Sequence, residues 1–147
     1  MVKGNVLMVC LGNICRSPLA HGIFEHLSKE FSITVDSAGT ASYHIGNPPD
    51  PRSIKLAMNQ GIDISNQRAR QFTRSDFDLF DHIFAMDRQN LRNVLKLSQS
   101  ETESNKVKLL LINEEVEDPY YGGDQGFEIV YNKIEKASKD ILDSWKQ

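Results

Sequence analysis

Two rhythms alternate along the chain. Short, continuous apolar runs suit strands buried on both faces, and Val6-Leu7-Met8-Val9 is the first of them. After it, Leu19, Ala20, Ile23, Phe24 and Leu27 recur at steps of three and four and predict a helix, with Ser17 as its cap and Pro18 in its first position. Ile33-Thr34-Val35-Asp36-Ser37 reads as a second strand. Asp50-Pro51 opens a second helix, carrying Ile54, Ala57 and Met58 and ended by Gly61. A polar, Arg-rich irregular stretch over 62–71 leads to a short helix over 73–80, with Thr73 as cap and Asp76 three positions on. His82-Ile83-Phe84-Ala85-Met86 is the third strand, and Asp87 caps a helix running to Leu97. Residues 98–106 read as an exposed turn, 107–112 as the fourth strand and 113–126 as a long loop. Phe127, Val130, Ile134, Ala137, Ile141 and Trp145 then share one face of a final helix.

Strand, helix, strand within the first 37 residues is a βαβ unit, and the alternation continues. The expected fold is α/β: a doubly wound three-layer sandwich around a four-stranded parallel sheet, formed by one domain over residues 1–147. Ligands of such sheets bind beyond the carboxyl ends of the strands. Cys10, Ser37, Asp87 and the loop after Ile112 all fall at those ends.

Composition narrows the function. The 147 residues carry a net charge of −3 without a basic stripe, which gives nucleic-acid or anionic-membrane binding no support. No apolar run is long enough to span a bilayer, and the N-terminus does not resemble a signal peptide. The two cysteines, Cys10 and Cys15, do not make a disulfide framework, so a cytoplasmic protein with reduced thiols is expected, and a monomer. No metal or other cofactor is expected. Cys10 and Cys15 lack a second ligand pair, and His21 and His26 stand five apart, off the helical register, as surface or internally satisfied side chains.

The chemistry concentrates at residues 10–18, between the first strand and the first helix. Loop amides and the helix dipole converge there on one spot, Gly12 lets the backbone come close, and Arg16 adds a planar fork for two phosphate oxygens. A thiol opening such a loop feels the same field and is disposed to act as a thiolate. Alone, a Cys ending an apolar strand is a small buried hydrophobe. With Arg16, Gly12 and Ser17-Pro18 beside it, Cys10 becomes a candidate nucleophile for phosphoryl transfer. The leaving oxygen then needs a proton, and Asp118, between Glu117 and Pro119 on the loop after the fourth strand, is the candidate acid. Asp-Pro is equally an ordinary turn starter, and only its place at the same sheet edge raises it.

The sequence closely resembles the low-molecular-weight protein tyrosine phosphatases. The resemblance rests on Cys10-Leu11-Gly12-Asn13-Ile14-Cys15-Arg16-Ser17-Pro18, Asp36-Ser37-Ala38-Gly39-Thr40, Ile45-Gly46-Asn47-Pro48-Pro49-Asp50, Met86-Asp87 and Asp118-Pro119-Tyr120-Tyr121-Gly122, in order along nearly the whole chain. It implies hydrolysis of phosphotyrosine through a phosphocysteine on Cys10, with Arg16 as clamp and Asp118 as acid and then base. It further implies that Ser17 eases departure of the sulfur, that Asn13 and Ser37 brace the loop, and that Asp87 orients Arg16. Leu11, Tyr43, His44 and Tyr120 match the flanks of the family's substrate cleft, so phosphotyrosine-containing proteins are the expected partners. The family also suggests a reversible Cys10–Cys15 disulfide, against the alternative that Cys15 is inert core. One departure stands out: the His that often supports the loop, after the second helix, is missing from residues 65–71, where Asn66 and Gln67 are the donors that could take its place.

Other readings remain within reach of the same fold. An arsenate reductase would need an external thiol, since no further cysteine exists to relay a disulfide. In a phosphoarginine phosphatase the family places a smaller polar residue where Ile14 stands. A non-catalytic phosphate-binding module would keep Arg16 without needing Cys10 or Asp118.

Overall fold

The computed structural model describes residues 4–119 and 123–146. Four parallel strands, β1 (Gly4–Cys10), β2 (Ile33–Gly39), β3 (His82–Ala85) and β4 (Val107–Leu109), form one sheet in the order β2-β1-β3-β4. The helices are α1 (Arg16–Leu27), α2 (Pro51–Asn59), α3 (Asp76–Leu79), α4 (Arg88–Leu95), α5 (Glu101–Ser104) and α6 (Gly123–Trp145). This is the doubly wound sandwich expected from the sequence.

Strand β1 is the axis of the molecule, and Val6, Leu7, Met8 and Val9 are all fully buried. Successive side chains of a strand point to opposite faces. Val6 and Met8 pack with Ile23 and Phe24 of α1, Ala57 of α2 and Val130 and Ile134 of α6. Leu7 and Val9 enter the other core, with Phe77 of α3, Val94 of α4 and Ile83. Burying side chains of this size stabilises the fold by roughly 1.5–3 kcal/mol each as an upper bound. Cys10 continues the Val6–Met8 side.

The order reverses direction between β1 and β3, so the crevice of the sheet opens where β1 ends at Cys10 and β3 gives way to Met86-Asp87. Several boundaries differ from the sequence reading. Helix α1 starts at Arg16, so Ser17 is not its cap and Pro18 takes the third position, where its missing N–H is still not needed. Strand β4 is three residues rather than six. Residues 98–106 contain α5, capped by Ser100, whose hydroxyl accepts from Glu103 N–H at 3.1 Å. The short helix before β3 spans only Asp76–Leu79, but Asp76 does reach back to the Thr73 N–H at 2.9 Å. Asp50 caps α2 through Arg52 N–H, and Gly61 follows it with φ +79°, as the pattern requires.

Candidate active site

The loop from Cys10 to Arg16 is held on every side by main-chain hydrogen bonds. Thr40 N–H donates to Cys10 C=O and Ala41 N–H to Leu11 C=O, both at 2.9 Å, and Asp50 N–H donates to Ile14 C=O at 2.7 Å. These bonds give residues 36–41 and 45–50 their purpose. Gly39 ends β2 against the loop itself: a Cβ there would stand 2.7 Å from Leu11 C=O and 3.1 Å from Asn13 N. The left-handed residue of the loop is Asn13 (φ 58°), not Gly12, whose missing side chain instead leaves room for the His44 ring.

Asn13 holds that conformation with its buried side chain. Its Oδ1 accepts from Arg70 N–H at 3.0 Å, and its Nδ2 donates to Ser17 Oγ at 2.8 Å and to Ser37 Oγ at 3.1 Å. Ser17 Oγ in turn lies 3.0 Å from Cys10 Sγ, and Asn13 N–H donates to the same sulfur at 3.3 Å. Cys10 is almost wholly buried, with two donors available to negative charge on the sulfur.

Arg16 is buried with its charge. Nη1 donates to Asp87 Oδ2 at 2.7 Å and to Val116 C=O at 3.0 Å, which uses both of its hydrogens. Burial opposes the guanidinium charge, but Cys10, Asp87 and Asp118 outweigh it and raise its pKa above the ordinary value. Asp87 also caps α4, Oδ1 accepting from Asn90 N–H at 2.8 Å. The contacts with Arg16 and with the α4 backbone fall on two different oxygens of one carboxylate.

Asp118 stands half-exposed at the rim, Oδ2 3.8 Å from Arg16 Nη2. Its loop is pinned to the body: Val116 N–H donates to Met86 C=O at 2.7 Å, Glu115 Oε2 accepts from Arg88 N–H at 2.8 Å, and Lys133 pairs with Glu114 and Glu117 at 3.0 Å each. Arg16, Asp87 and Val116 therefore tie the segment that carries Asp118 to the loop. A cleft of about 410 Å³ opens over Cys10, with Ile14, Cys15 and Arg16 below and Leu11, Tyr43, His44 and Asp118 around it. Leu11 and Tyr43 are 38% and 75% exposed, a rim rather than core, and the Tyr43 and His44 rings meet edge to face. Tyr120, expected at the same rim, lies outside the described residues.

Cys15 is a free, buried thiol whose pKa is pushed up to about 12, first by burial and then by Asp50, Cys10 and Asp118. At neutral pH it is a protonated thiol. Gln67, offered as a substitute for the missing His, donates to Pro18 C=O at 3.2 Å rather than to the loop's asparagine, and Asn66 is exposed. Val116 and Arg70 were not legible as site residues, because each contributes only a main-chain group to the network around the loop.

Fold and cleft together define a doubly wound protein whose anion-binding loop carries a cysteine on its floor. A sequence model described as low molecular weight phosphotyrosine protein phosphatase matches residues 5–147. The human protein of that name is 43% identical over 152 residues, covering 95% of this chain and 94% of its own. Among solved structures, a protein tyrosine phosphatase from Entamoeba histolytica with Hepes in its active site superposes with a TM-score of 0.90 at 35% identity, covering 97% of this chain and 96% of its own. An arginine phosphatase of Drosophila does so at 0.89 and 34%, covering 97% and 98%. The chain belongs to the low molecular weight phosphotyrosine protein phosphatase family, a family of hydrolases.

Proposed function

We propose that this chain hydrolyses phosphotyrosine in proteins through a phosphocysteine intermediate. The observation that carries the reading is the Cys10 sulfur beneath the cleft, facing Asn13 N–H and Ser17 Oγ, with Arg16 and Asp118 3.8 Å apart above it.

With Arg16 Nη1 engaged by Asp87 and Val116, Nε and Nη2 are left as side-by-side donors for two phosphate oxygens. The loop amides take the remaining negative charge. Cys10 Sγ attacks phosphorus, the S–P bond forms as the P–O bond to tyrosine breaks, and Asp118 gives its proton to the departing phenolic oxygen. Water then attacks the phosphocysteine, passing its proton to Asp118. The S–P bond breaks with its electron pair on sulfur, where the Ser17 hydroxyl receives the charge. Every group in this sequence comes from one chain, which suits a monomer, and the two free cysteines suit the reducing cytoplasm. Among the described residues, no helix is long and apolar enough to cross a membrane.

Leu11, Tyr43 and His44 wall the cleft above a buried sulfur, apolar and aromatic surface that suits an aryl phosphate better than phosphoserine. The Drosophila neighbour is the specific support for a second reading, phosphoarginine hydrolysis. Ile14 in the cleft lining, apolar and bulky, favours the aromatic ester. Steady-state kinetics on phosphotyrosine, phosphoserine, phosphoarginine and arsenate, measured in parallel, decide between them. The highest kcat/KM is expected on phosphotyrosine, and a higher value on phosphoarginine overturns that choice.

Asp118→Ala is expected to slow phenyl phosphate hydrolysis by about 10²–10⁴-fold, the usual worth of a general acid, and nitrophenyl phosphate far less. Equal slowing of both removes Asp118 from the acid role. We further infer that peroxide converts Cys10 to a sulfenic acid, which condenses with the Cys15 thiol to a disulfide and water. With peroxide in excess, a second equivalent takes an unprotected sulfenic acid on to the sulfinic acid, which dithiothreitol does not reduce, so dithiothreitol should restore activity to the wild type but not to Cys15→Ser. Equal recovery means that Cys15 is only core.

A further inference from the structure

The hydrogen bonds around Asn13 have a direction that the donor inventory fixes. Arg70 N–H can only donate, so Asn13 must turn Oδ1 toward it and its amino group toward the two serines. Both hydroxyls therefore accept from Asn13, and each has one proton left to give. That of Ser17 faces Cys10 Sγ at 3.0 Å, with Ala38 C=O a longer alternative at 3.5 Å. That of Ser37 faces His21 Nδ1 at 3.2 Å, on the buried side of α1. His21 can accept it only when Nδ1 carries no proton.

We propose that His21 is a positioning residue for the nucleophile: its neutral imidazole, protonated on Nε2, accepts the Ser37 hydroxyl and completes a fork on Asn13 whose other arm aims Ser17 at Cys10. The inference rests on Cys10 being the nucleophile. It also gives a place to the support that residues 65–71 lack, since the imidazole reaches the network from α1 instead.

A proton on Nδ1 reverses this arm. Ser37 would then receive hydrogen bonds from both His21 and Asn13, and its own proton would be left without its acceptor in a buried position, a costly arrangement. The charged groups facing the ring are Glu25 on α1, with Oε2 3.8 Å from Nε2, and Asp36 on β2, itself held by Arg70 at 3.1 Å; the Gln67 amide faces it from the loop after α2. All three favour the charged ring, but burial outweighs them and holds its pKa below the ordinary 6.5. The neutral, accepting form is thus the working form at neutral pH, and it is lost as pH falls below 6.5.

Two measurements test this. On the wild-type protein, long-range ¹H–¹⁵N correlation of the imidazoles at pH 7 should show His21 with its proton on Nε2. A ring protonated on Nδ1, or on both nitrogens, overturns the proposal without any mutation. In parallel, kcat/KM for phosphotyrosine is followed from pH 5 to 8 in wild type, His21→Asn and His21→Leu. Asparagine keeps an acceptor near the Nδ1 position but does not titrate. It should hold most of the activity at pH 7.5 and decline less steeply than wild type below pH 6.5, ionisation of the substrate phosphate at about pH 6 being common to both. Leucine, without an acceptor, should fall by about tenfold at pH 7.5, the scale of one buried hydrogen bond, and the gap should narrow below pH 6.5 as the wild type loses its own acceptor. An unchanged decline in the Asn variant, or wild-type activity in the Leu variant, overturns the role. Trapping a phosphoenzyme from wild type by acid quench tests Cys10 separately, so failure of the nucleophile assignment is not confused with failure at His21.

Discussion

Cys10→Ser is expected to abolish turnover, by roughly 10⁶-fold, the scale on which removal of a nucleophile has been felt in other hydrolases. The hydroxyl is smaller than the thiol and far harder to ionise, while the loop amides and Arg16 keep their anchors. Orthophosphate should therefore still bind the variant by calorimetry, within a few-fold of wild type, and no phosphoenzyme should accumulate on rapid quench. Retained turnover would hand the attack to another group, and lost phosphate binding would mean that the sulfur supports the loop rather than the chemistry. The two readouts separate those possibilities.

Arg16→Lys is expected to lose on the order of 10³–10⁵ in kcat, the range that a transition-state arginine contributes to phosphoryl transfer. The reason lies in how the side chain is shared. One face of the guanidinium serves Asp87 at 2.7 Å and Val116 C=O at 3.0 Å, and only a planar fork can do so while presenting a second pair of donors to phosphate. A lysine ammonium keeps the charge but cannot satisfy both sides. Vanadate affinity should fall in parallel with kcat, and melting temperature should also drop, since Asp87 and the Val116 carbonyl lose a shared buried donor. A lysine variant with wild-type vanadate affinity would show that charge alone suffices.

Much of this was written in the chain's pattern. Four consecutive apolar residues at 6–9 suit a strand covered on both sides, and the two core clusters take alternate members of it. Asp50-Pro51 and Asp87 read as helix starts because capping is local chemistry, settled within three residues. Ser17 misled for the same reason. It looks like a cap, but the tight loop starts α1 two residues earlier and frees the hydroxyl for Asn13 and the sulfur. Helix α5 was hidden in a polar stretch, where no apolar period marks one turn of helix. The site residues with chemically distinctive side chains were legible at once. The grip of Arg70 on Asn13, the Val116 carbonyl and the contact of His21 with Ser37 were not, because each depends on which distant segments the sheet order brings side by side.

Arg16 reaches 71 positions along the chain to Asp87 and 100 to Val116. No early fragment of the chain could hold both ends of those ties, so an anion finds its seat only in molecules whose sheet is finished. Occupancy and foldedness are then coupled through one equilibrium: product at a hundred times its dissociation constant adds about 2.7 kcal/mol against unfolding. Inorganic phosphate bound in that loop would hold the molecule together to the degree that it occupies the site.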